Sequence, residues 1–105
     1  MDNFKIIYKI LKYLEQNLDY EETDITPISA VKLKITEQRW EQLLIMLYNE
    51  GYINGIVVSK VVGENKYHIV EPIQPNITLK GLEYLEENSM MHKAKEFARG
   101  IVLKK

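Results

Sequence analysis

Side chains able to do chemistry are few in this sequence. His68 and His92 are its two histidines, Ser29, Ser59 and Ser89 its serines, and Asp19-Tyr20-Glu21-Glu22-Thr23-Asp24 its densest acidic run; there is no cysteine. A zinc or metalloprotease site needs histidines at helical or finger-like spacing, and no His-Glu-x-x-His or comparable pair occurs. The two imidazoles are therefore expected to be ordinary ones, His68 in a strand and His92 on a helix flank. A calcium loop alternates its oxygen ligands around a glycine at the sharp turn, which the acidic run lacks, so it reads as a solvated loop. No glycine-rich phosphate loop or nucleophile elbow is present, and no serine has a general base nearby in sequence. The expectation is a protein without catalysis, metal or cofactor.

A second kind of chemistry, recognition of DNA, has more to work with. In a helix over 37–50, Trp40, Leu43, Leu44 and Leu47 form a core stripe. Gln38, Gln42, Ile45 and Asn49 stand opposite, flanked by Arg39, Glu41 and Met46. Glutamine can pair bidentately with adenine and arginine with guanine, while an apolar group can touch a thymine methyl. Gln38, Arg39 and Gln42 are thus the candidate base readers. Lys34, Lys60 and Lys66, with Lys32 beside them, are candidate phosphate contacts. Against this stand Glu37 and Glu41 on the same helix and a formal net charge of −1, since phosphate contacts dominate nucleic-acid affinity.

The elements that must carry these residues follow from periodicity and caps. Over 3–18, Phe4, Ile7, Leu11, Leu14 and Leu18 recur at helical spacing as a core stripe, with Tyr8 beside them and Lys5, Lys9 and Lys12 on a polar flank. Ile6, Ile10 and Tyr13 make a second apolar line. They are the candidate homodimer surface, the alternative being cover by the last helix. Pro27 suits the first turn of a short helix, 27–33. Thr36 caps the helix over 37–50, and Gly51 ends it in the left-handed position glycine occupies at least cost. A β-hairpin follows over 52–70, with Gly63-Glu64-Asn65-Lys66 as its turn. Thr78 caps a helix over 79–87, Asn88-Ser89 break it, and a last helix spans 90–103. Gly55 predicts a bulge or a close backbone approach, and Gly81, misplaced by helix propensity, a close approach of its helix to the hairpin or first helix.

Helix, short helix, capped helix, hairpin and trailing helices make a single α+β domain over 1–105 in the winged-helix order: the two central helices form the helix-turn-helix and the hairpin the wing. At 105 residues the chain supports one hydrophobic core. Lysines every three or four residues leave its N-terminus without a signal peptide or membrane span, so the protein is read as cytoplasmic. Charge is uneven: residues 89–105 carry Lys93, Lys95, Arg99, Lys104 and Lys105 against Glu96, whereas 71–88 carry Glu71, Glu83, Glu86 and Glu87 against Lys80. This suits helix dipoles and solubility.

Three blocks resemble the YjcQ-like family of small bacterial and phage proteins. They are Glu50-Gly51-Tyr52-Ile53-Asn54-Gly55, then Ile77-Thr78-Leu79-Lys80-Gly81-Leu82-Glu83-Tyr84-Leu85-Glu86-Glu87-Asn88, then Lys93-Ala94-Lys95. The resemblance covers roughly residues 50–95, and the first forty match by pattern alone. It implies a helical front half, a hairpin and two trailing helices, and a prophage or phage setting. It implies no activity and carries no catalytic or binding motif. The pattern Thr-x-x-Gly-x-x-Tyr-Leu after a hairpin also recurs in winged-helix regulators. Two functions from different classes are thus expected: a small DNA-binding regulator, or a protein-interaction module on the same scaffold.

Overall fold

In a computed structural model that describes residues 2–89, the first helix, α1 (Asn3–Gln16), starts where Asp2 accepts a hydrogen bond from the Lys5 backbone N–H at 2.9 Å. The last helix expected from sequence, 90–103, and His92 lie outside the described residues. The buried arc of α1 is Ile6, Ile10, Leu11 and Leu14, while Phe4 is 74% and Leu18 56% exposed. This corrects the stripe read from sequence. Ile6 and Ile10, the core of the candidate dimer surface, are fully buried within one chain, and Tyr13 is half-buried with its hydroxyl donating to the Asp24 carbonyl. Ile6 and Ile10 are thus unavailable to a second copy. The apolar face of α1 is broad, and the other described elements dock between the two lines rather than on the first.

After the acidic turn, Asp24 accepts hydrogen bonds from Thr26, which hold its carboxyl below the usual range. The expected single helix over 27–33 is two pieces. A 3-10 turn (Thr26–Ile28) carries Pro27 in its first positions, and Ser29 then caps α2 (Ala30–Leu33). Lys34 ends α2 in the left-handed conformation, φ 59°. Helix α3 (Glu37–Asn49) begins at the Thr36 cap, whose hydroxyl accepts from the Arg39 N–H at 3.1 Å, and Gly51 follows it at φ 82°. Trp40, Leu43, Leu44 and Leu47 are buried as expected, and the Trp40 indole donates to the Ile28 carbonyl at 2.7 Å, tying α3 to the 3-10 turn.

The hairpin is two nested ladders rather than one. Strand β1 (Ile53–Asn54) pairs with β4 (Asn76–Ile77), and inside that pair β2 (Val57–Ser59) runs antiparallel to β3 (His68–Val70), with Val58 opposite Ile69. Gly55 separates the ladders on the outgoing arm. Its φ is 82°, and a Cβ there would stand 2.5 Å from the Gln74 carbonyl. Of the two predicted uses of this glycine, a bulge or a close approach, the close approach is the one found. The turn comes earlier than the sequence suggested, the Glu64 N–H donating to the Val61 carbonyl with Gly63 at φ 91°.

Helix α4 occupies 79–89, so Asn88 and Ser89 extend it instead of breaking it. The Asn88 side chain donates to the Tyr84 carbonyl one turn back at 2.8 Å, a bond that lets asparagine sit within a helix. Thr78 joins two elements at once: its hydroxyl donates to the Gly51 carbonyl and accepts from the Gly81 N–H. The described residues thus form a small α+β domain of helices and short antiparallel strand pairs. Its core runs from α1 through α3 to Ile53, Ile56, Ile69, Ile77 and Leu85. None of their helices is long and apolar enough to cross a membrane.

Candidate nucleic-acid interface

Burying Trp40, Leu43, Leu44 and Leu47 fixes the rotation of α3 and so decides which polar side chains face outward. Gln38, Arg39 and Met46 are exposed and Gln42 is half-buried. With Asn3, Thr36, Leu43 and Lys66 they line a cleft of about 300 Å³ between α3, the start of α1 and the hairpin. Arg39 and Lys66 are cationic, and no carboxylate is among the lining residues. Arg39 donates through Nε at 2.8 Å and through Nη2 to the Asn3 Oδ1, so its guanidinium is held against the first turn of α1. Gln42 donates from Nε2 to the Tyr67 carbonyl at 3.1 Å and ties the helix to the hairpin.

The other flank of α3 has the opposite character. Glu41 accepts from the Ile69 backbone N–H at 2.9 Å through one oxygen and meets His68 Nδ1 at 2.8 Å through the other. His68 Nε2 lies 2.6 Å from Glu64 Oε2. The hydrogen bond with Glu41, helped by the charge of Glu64, raises the imidazole above its ordinary value against a smaller opposing desolvation. A second cleft, about 210 Å³, opens here and is lined by Glu37, Gln38, Trp40, Glu41, Ile69, Glu71 and Ile73. Among the described residues no group of three or more His, Cys, Asp or Glu is arranged to hold a metal ion.

Of the residues singled out from sequence, Gln38, Arg39, Gln42 and Lys66 meet in one cleft. Lys34 and Lys60 do not line it: Lys34 sits at the left-handed turn between α2 and α3, and the Lys60 ammonium lies over the Tyr67 ring, 5.7 Å from its centroid. Ile45, expected on the open face, is 5% exposed and belongs to the core. The reason is the hairpin. Glu41 and Gln42 draw β3 and Tyr67 onto that flank, and the open face of α3 turns toward Arg39 and Met46. Sequence reasoning missed Asn3 as a partner of Arg39, and it missed the Glu41–His68–Glu64 bridge. Asn3 and Arg39 are too far apart in sequence to leave a local signal. The Glu64–His68 spacing of four was legible, but its meaning depends on Glu41 arriving from another element.

The domain so described, a capped helix carrying a cationic cleft on one side and a carboxylate-held hairpin on the other, can be set beside known chains. The model of the family described as YjcQ protein matches residues 8–102. A curated relative, the uncharacterized protein YjcQ of Bacillus subtilis (strain 168), is 31% identical over 94 residues, 90% of this chain and 87% of the relative. The chain belongs to the YjcQ family. The match includes most of α1 and all of α3, well beyond the blocks from residue 50 onward in which the likeness is legible by eye. No solved structure matches the chain.

Proposed function

We propose that this protein is a winged-helix domain that binds duplex DNA, with α3 as the recognition helix and the hairpin as the wing. The observation that carries the reading is the cleft beside α3, which gathers Arg39, Lys66, Gln38 and Gln42 with no acidic residue in its lining. The formal net charge of −1 remains the largest mark against this reading; the lesser one, the glutamates of α3, weakens on the same ground. Glu41 is engaged by His68 and Ile69, and both Glu37 and Glu41 line the neighbouring cleft, which shares Gln38 with this one. A phosphate oxygen would be met by Lys66, and a base edge by the Gln38 amide, with Met46 offering an apolar contact to a thymine methyl. Lys34 and Lys60, outside the cleft, are left as phosphate contacts of the flanking turns.

The test is retention of mixed genomic DNA fragments at low salt, followed by a salt titration. Binding is expected to fall steeply with salt, and Lys60→Ala with Lys66→Ala to weaken it across all sequences, the slope dropping by about one per lost phosphate contact. Absence of binding at low salt refutes the proposal. One observation favours a second reading, a protein-interaction module on this scaffold: Arg39 and Gln42 already have partners in Asn3 and Tyr67, while Met46 stays 55% exposed. No DNA retention, together with a host protein held by the wild-type chain but not by Met46→Glu, would favour that reading.

A further inference from the structure

We propose that the Glu41–His68–Glu64 bridge is a proton-operated latch that holds the hairpin tip against α3 and so regulates the DNA contact made beside Lys66; this rests on the DNA-binding reading above. The geometry is specific to the imidazolium. Each ring nitrogen faces its own carboxylate oxygen, Nδ1 with Glu41 at 2.8 Å and Nε2 with Glu64 at 2.6 Å. Only the protonated ring has two N–H donors; the neutral ring would set a bare lone pair against a carboxylate at one of these contacts. The groups facing the ring are Glu41 from α3 and Glu64 from the hairpin turn, and Ser59, its partner across β2, is uncharged. Glu37 and Glu71 line the acidic cleft with Glu41, and the hairpin's cations are Lys60, drawn over Tyr67, and Lys66.

The two arms of the latch are unequal. Glu41 has a second anchor in the Ile69 N–H, so it stays in place when the proton leaves. Among the described residues the Glu64 carboxylate has no bond other than that to His68. In the neutral ring that keeps its proton on Nδ1, toward the anchored Glu41, Nε2 is a bare lone pair, and Glu64 is released as an unpaired negative charge at the hairpin tip, two residues before Lys66. The side chain of His68 is 40% exposed, so its proton exchanges with solvent without unfolding. DNA affinity is expected to fall as pH rises through the His68 titration. A single charge near a solvated interface predicts a loss of about two- to fivefold.

The experiment follows the imidazole of His68 and the backbone amides of Glu64 and Lys66 by NMR across the histidine range, alongside binding of mixed genomic DNA at each pH. Expected are a His68 midpoint above the ordinary histidine value and amide shifts at Glu64 and Lys66 with that midpoint. The DNA step should disappear in His68→Gln, flatten in Glu64→Gln and persist in His92→Gln. A His68 midpoint at or below the ordinary value, or amides that ignore it, overturns the latch whatever the DNA does. A DNA step that survives in His68→Gln overturns its role in binding. If the amides follow His68 but DNA is retained at no pH, the latch stands and the DNA reading falls, so the two failures are distinguishable.

Discussion

Replacing Gly81 by alanine isolates one close approach on which the domain depends. A Cβ at this position would stand 2.4 Å from the Tyr52 carbonyl oxygen, and 2.6 and 3.2 Å from Ile77 Cγ1 and Cδ1. Two effects oppose each other. Alanine favours the helix over glycine by roughly 0.8–1 kcal/mol, whereas overpacking a closed site costs ~1–3 kcal/mol. The second wins here because the nearest atom is backbone, and it is a carbonyl already accepting from the Thr78 N–H at 3.1 Å. Moving it disturbs the joint between the hairpin base and α4, where Thr78 also binds Gly51 and Gly81. The cost therefore falls toward the upper end of the range, and the net loss is about 1–2 kcal/mol. For a domain of this size that lowers Tm by roughly 5–15 °C. The assay is thermal and urea denaturation followed by circular dichroism, with Glu83→Ala on the exposed side of α4 as the control, expected within about 0.5 kcal/mol of wild type. A Gly81→Ala chain as stable as wild type, or more so, would refute the packing argument, because propensity alone predicts that gain.

Other consequences are open to measurement. Ile10→Ala should cost ~2–5 kcal/mol, whereas Phe4→Ala, at an exposed site, should stay within about 0.5 kcal/mol; equal costs would restore the stripe read from sequence. Trp40→Phe leaves the buried Ile28 carbonyl without the indole N–H and should destabilise by about 1–3 kcal/mol in urea melts; an unchanged midpoint would show the bond to be dispensable. His68 has its folded value raised, so the stability it contributes is full below the unfolded-state value and is lost as pH rises through the folded one. Glu41→Gln should shrink that pH-dependent component, and denaturation midpoints that decline with pH as in wild type would count against Glu41 as the main cause.

Elements set by neighbouring residues were legible in the sequence. Thr36 and Gly51 bracket α3 because a hydroxyl cap and a left-handed glycine act within a few residues of the helix end. The buried stripe of α3 was legible for the same kind of reason, since polar residues on its flanks leave only one face to bury. Gly55 and Gly81 announced close approaches because glycine inside an element is unfavourable without one. The cleft was half legible: residue types on α3 picked out Gln38, Arg39 and Gln42, and the hairpin composition picked out Lys66.

The sequence by itself determined the positions of the long helices, the hairpin after Gly51, the Thr36 and Thr78 caps and the absence of any cysteine chemistry. It could not choose the buried face of α1, because two apolar lines meet the same periodicity and the choice depends on what docks there. Nor could it tell that Ile45 goes inside, or that Glu41 turns from the open face of α3 to hold His68 and Ile69. Those outcomes belong to tertiary structure alone. The Glu41 contacts arise when the hairpin folds back on α3 and brings together residues separated by some twenty-five or more positions, whose mutual attraction has no trace in local spacing.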